Sequence, residues 1–109
     1  EELLRDDNNR VRANAAKLMY DIDVNLSIKV LKEMLENPSK RMRASAVWAL
    51  GEISSEEALD LILTIKDEDD EIVRYNIINA LGKVKSLQKF PISKIQLNQI
   101  NDILKLSHI

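Results

Sequence analysis

The stretch Arg43-Ala44-Ser45-Ala46-Val47-Trp48-Ala49-Leu50-Gly51 decides how the chain is read, because its chemistry recurs at a fixed distance on both sides. Arg12, Arg43 and Arg74 stand 31 residues apart. One residue before each come Val11, Met42 and Val73. Three after come Ala15, Ala46 and Ile77, and six and seven after come Leu18-Met19, Ala49-Leu50 and Ala80-Leu81. Ten after stand Ile22, Ile53 and Val84. These offsets give the apolar series i, i+4, i+7, i+8, i+11, which lines one face of an α-helix. A period shared by this many positions marks an internal repeat.

The helix starts repeat too. Asn8, Ser39 and Asp70 each carry a short acceptor side chain able to cap a first turn, so A helices are expected from near 9, 40 and 71. Gly51 and Gly82, after Leu50 and Leu81, are expected to close two of them in the left-handed conformation, while Tyr20 requires another ending for the first. A second, B helix follows in each unit. Asp23 and Ser54 are its candidate N-caps, Ser54 with Glu57 having capping-box spacing. Ile28/Leu59, Val30/Leu61, Leu31/Ile62 and Met34/Ile65 coincide under the same shift, which places B helices at roughly 24–36 and 55–66. Pro91 interrupts the third B segment. A fresh helix is expected from Ser93, with Gln96 as capping-box partner and Leu97, Ile100, Ile103 and Leu104 as its stripe.

The pattern Arg10-Val11-Arg12…Ala15…Leu18, Arg43…Ala46-Val47-Trp48-Ala49-Leu50-Gly51 and Val73-Arg74…Ala80-Leu81-Gly82 resembles HEAT-like repeats of the short class known from phycobilisome lyases. The likeness covers about residues 1–90. Independently of it, two helices per 31-residue unit imply an all-α, right-handed solenoid. The expected organisation is one domain over 1–109, with units at about 6–36, 37–67 and 68–92 and a C-terminal capping helix at about 93–107.

Composition narrows the function. The chain has 109 residues, 16 Lys and Arg against 18 Asp and Glu, 45% hydrophobic and 31% charged residues. It has no Cys and one His, His108, which removes thiolate sites and most imidazole chemistry. A net charge of −2 disfavours nucleic-acid binding, and no apolar run reaches membrane-spanning length. The opening Glu1-Glu2 reads as neither a signal peptide nor a natural start, and the chain is expected in the cytoplasm, without cofactor.

Candidate sites are few. The Arg12/Arg43/Arg74 ladder suits either a phosphate backbone or carboxylates at neighbouring turns, such as Asp6, Asp7, Asp67 or Asp69; the charge balance favours the second, a structural tie between repeats. Asp67-Glu68-Asp69-Asp70-Glu71 lacks the loop glycine of a calcium site and suits a helix N-terminus. Trp48 shares its register with Lys17 and Asn79, residues that belong in water, so it is expected to be partly exposed, either as a binding contact or with its indole laid over a neighbouring helix or a Lys stem. The resemblance implies that B helices line the concave side, where Lys29, Lys32, Glu56 and Asp60 offer a mixed, peptide-like recognition surface. No catalytic motif is present.

The expected function is therefore a non-catalytic protein-protein scaffold whose partner is another protein or a peptide. The alternatives are a nucleic-acid binder using the Arg ladder, or an accessory subunit of a bilin lyase. Glu1-Glu2-Leu3-Leu4 falls in register with Lys32-Glu33-Met34-Leu35, the last turn of a B helix. This suggests a fragment of a longer chain with an open N-terminal edge able to self-associate, unless the polar residues Arg5, Asp6, Asp7 and Asn8 cover that edge.

Overall fold

A computed structural model describes residues 2–106. A 3-10 turn at Glu2–Arg5 precedes six helices: α1 (Asn9–Met19), α2 (Val24–Leu35), α3 (Lys40–Ile53), α4 (Glu56–Thr64), α5 (Glu71–Leu87) and α6 (Lys94–Leu106). Helix α6 lies where a capping helix is expected at about 93–107; residue 107 and His108 lie outside the described residues.

The A helices begin where short acceptors meet free amides. Asn8 accepts from the N–H groups of Arg10 and Val11, Ser39 from Met42, and Asp70 from Ile72 and Val73. Asp23 accepts from Leu26 at the start of α2. At α6, Ser93 and Gln96 satisfy each other's backbone N–H groups at 3.0 and 3.1 Å, a complete capping box.

The fourth helix departs from expectation. Ser55, not Ser54, caps it by accepting from the N–H of Ala58, and Glu57 takes no part in a box with Ser54. Ser54 instead ends α3 in the left-handed region at φ 52°, its hydroxyl donating to the carbonyl of Gly51. The glycines do not close their helices either. Helix α3 runs on to Ile53 and α5 to Leu87, where Gln88 takes the left-handed turn at φ 48°. Burying Ile53 and Val84 requires that extra turn. The absent Cβ of Gly51 serves packing: one placed there would sit 2.8 Å from the Cβ of Ala80. Helix α1 stops at Met19, with Tyr20 in the right-handed region.

Helices α1, α3 and α5 stack side by side in one layer, and α2, α4 and α6 pack on them to form the second. Leu31, Met34, Val47, Leu50, Leu59, Ile62, Val73, Leu81, Val84 and Ile100 are fully buried between the layers. Each such side chain contributes about 1.5–3 kcal/mol by leaving water. The buried Ser27 donates its hydroxyl to the Ala16 carbonyl at 2.6 Å, which ties α2 to α1 without an unpaired polar atom.

Candidate functional site

A groove of about 720 Å³ crosses the outer face of the A-helix layer. Helix α1 supplies Arg10, Ala13 and Asn14, α3 supplies Arg41, Ala44, Ser45 and Trp48, and α5 supplies Ile72 and Asn76. The stripe i, i+4, i+7 on each helix brings these positions onto one face: Arg10, Asn14 and Lys17 align with Arg41, Ser45 and Trp48, and with Ile72, Asn76 and Asn79.

The polar groups are fixed from below. Asn14 donates to the Arg10 carbonyl at 3.0 Å, Asn76 to the Ala44 carbonyl at 2.8 Å, and Asn9 to the Ser45 hydroxyl. Each amide spends a donor on the scaffold and keeps its carbonyl oxygen as an acceptor. Trp48 is 40% exposed, and the Lys17 ammonium sits 5.2 Å from its ring centroid, a cation–π contact that holds the indole in place. Beside it Glu52 takes ion pairs from both Lys17 and Lys83. Arg10 and Arg41 are exposed and pair with no described acid, and no carboxylate lines the groove.

The Arg ladder is not an open row of cations. Arg43 donates to both Glu68 oxygens at 2.9 and 3.1 Å and to the carbonyls of Asn37 and Pro38. Its guanidinium holds the Glu68 carboxyl below the usual carboxylate range. Arg12 donates to the Leu4 carbonyl at 2.8 Å and lies 3.7 Å from Glu33. The acids engaged are thus Glu68 and Glu33, not Asp6, Asp7, Asp67 or Asp69. Arg74 departs from the expected tie between repeats: it is exposed and pairs with no described residue. The position 31 residues beyond Glu68 is Gln99, inside α6, so the array supplies no acidic turn there.

The B-helix candidates lie apart from Trp48. Lys29 and Lys32 are exposed on α2, Lys29 beside a small recess that also contains Leu4, Arg12 and Glu33. Glu56 and Asp60 accept from the Gln96 amide at 3.4 and 3.2 Å, so they bind α6 to α4. None of the four enters the groove. Sequence reasoning missed Arg10, Arg41, Asn14, Ser45 and Asn76, although the same 31-residue register marks them: 10/41/72 and 14/45/76 are repeat positions too.

The model for HEAT repeats matches residues 1–82. The chain belongs to the HEAT-repeat family. No curated protein matches it. As a HEAT-repeat protein it has the helical-hairpin architecture found here, a fold that commonly mediates protein–protein interaction and is generally non-catalytic. Among the described residues no group of three His, Cys, Asp or Glu is arranged to hold a metal ion, and no helix is long and apolar enough to cross a membrane.

Proposed function

We propose that this HEAT-repeat chain is a non-catalytic binding module whose outer groove takes an extended, acidic protein segment. One observation carries the reading: the groove contains two unpaired arginines, Arg10 and Arg41, and no acid, in a chain whose net charge is −2. Neighbouring packed helices lie about 8–10 Å apart. Three residues of a polyproline II chain span about 9 Å and return side chains i and i+3 to one face. Carboxylates three residues apart on a partner would therefore meet Arg10 and Arg41 together. The free carbonyls of Asn14 and Asn76 would accept its backbone N–H groups, and Trp48 supplies a rigid apolar contact of the kind that dominates interfaces.

Trp48 is the only tryptophan, so its emission reports on the groove directly. Titration with a peptide carrying Asp or Glu at every third position should change that emission, and a Lys-substituted control should not. Arg10→Glu with Arg41→Glu should abolish the response while leaving the melting temperature unchanged. No response to the acidic peptide would overturn the proposal. Tighter binding to random duplex DNA, weakening steeply with salt, would move the groove to nucleic acid instead.

A further inference from the structure

The outer groove does not end at Trp48. A smaller recess of about 80 Å³ lies past the indole, between α3 and α5, and Trp48 and Asn76 line both cavities. Its floor is carbon. Gly51 has no side chain, and a Cβ there would sit 2.8 Å from that of Ala80, so glycine backbone and alanine methyl close the bottom. The indole of Trp48 forms one wall, and Asn79 and the Glu52–Lys83 ion pair form the rim.

Register explains why space is left there. Lys17, Trp48 and Asn79 occupy one position of the 31-residue repeat. Between α1 and α3 the pair is Lys17 with Trp48. The lysine reaches across to the ring at 5.2 Å and to Glu52 at 3.6 Å, and so covers that furrow. Between α3 and α5 the pair is Trp48 with Asn79, and the short amide leaves room beside the indole. Both walls of this recess are helices of the chain itself. The charge around it continues that of the groove: Glu52 is shared by Lys17 and Lys83, so cations outnumber acids at the rim. The volume is about half the roughly 150 Å³ that admits a benzene ring, and a polar head would meet only carbon at the floor.

We infer that the segment taken by the outer groove carries a short aliphatic residue, of alanine to valine size, that seats in the Trp48–Gly51–Ala80 recess. The inference rests on the proposed function and adds a specificity element to it. The arginines attract acids, and the recess selects one side chain by size. The spacing follows from the helix. Gly51 lies ten residues beyond Arg41, about 15 Å along α3 at 1.5 Å per residue. A polyproline II chain advances about 3.1 Å per residue, so the aliphatic residue stands about five positions from the acid that meets Arg41.

Calorimetric titration of the full chain tests this with peptides of one design. Each carries two Asp residues three apart in a Gly/Ser background. One variable residue stands about three to about eight positions beyond the nearer Asp, toward either end. Alanine at the right position should tighten binding about fourfold over glycine, and valine about fourfold more for each further carbon buried. Phenylalanine should lose the gain. The gain should peak at about the fifth position, and on one side only. Asn79→Phe, which fills the recess with a ring, should bind the glycine and valine peptides equally, its circular-dichroism spectrum matching that of the wild type. The two possible failures are distinct. Acidic peptides that bind equally whatever the variable residue, a phenylalanine peptide that binds tightest, or a valine gain that survives Asn79→Phe would each overturn the recess and leave the acidic groove standing. Acidic peptides that do not bind at all would overturn both.

Discussion

Arg43 in α3 grips both carboxylate oxygens of Glu68, at 2.9 and 3.1 Å, and with the same guanidinium holds the carbonyls of Asn37 and Pro38. One side chain thus joins the turn that enters its own helix to the turn that enters the next. Side-chain exposures of 20% and 12% keep water from competing well for the pair. This contact fixes the rotation of α5 against α3, which sets where Asn76 and Ile72 meet the outer groove.

Removing one partner leaves the other partly buried and unpaired. Glu68→Gln should lower stability by about 1–3 kcal/mol, read from urea denaturation at pH 7. The pH dependence has a definite sign. The Glu68 carboxyl is held below its ordinary value near 4.5, chiefly by its hydrogen bonds from Arg43. Its contribution is therefore complete above that ordinary value and is lost as pH falls through the lower, folded one. The wild type should lose stability across that acid window, and Glu68→Gln should lose less. Equal acid sensitivity in both would remove the pair from the stability account.

Two glycines in one register should respond in opposite directions. Gly51→Ala puts a methyl group 2.8 Å from the Ala80 Cβ and forces α3 from α5, costing about 1–3 kcal/mol. Gly82→Ala meets open space within a helix and should stabilise by about 0.5–1 kcal/mol. Thermal melts of the two variants, measured at low concentration, check the pair.

Gln88 ends α5 at φ 48° and is exposed. A side chain held in that region costs about 1–2 kcal/mol, a penalty glycine escapes. Gln88→Gly should raise the melting temperature by several degrees, about 4–8 °C for each kcal/mol in a domain of this size.

Ala46 is fully buried on the face of α3 that packs against α1. Ala46→Glu would bury an unpaired carboxylate in that contact and should unfold the chain at room temperature. Native-like helical circular dichroism in this variant would show that the helices can part at little cost.

The repeat, the N-caps at Asn8, Ser39 and Asp70, the Ser93–Gln96 box and the all-α class were legible in the sequence because each depends on local chemistry at a fixed spacing. An amide is capped by an acceptor two or three residues away, and an apolar stripe declares its own period. Register also placed Trp48 beside Lys17 and Asn79 on one outer face. What it could not settle was any question with two helices in it. Gly51 has the look of a helix terminator, yet its role depends on the distance to Ala80, a residue on another helix. The three arginines share one register position, and their fates differ because Arg43 meets Glu68, Arg12 meets Leu4 and Glu33, and Arg74 faces no acidic turn. The groove is of the same kind: the 31-residue period puts Arg10 and Arg41 in line, but only the packed layer shows that neither has an acid within reach. Local hydrogen bonds and hydrophobic period are written along the chain. Close approach and charge pairing belong to the space between helices, and tertiary structure alone decided them.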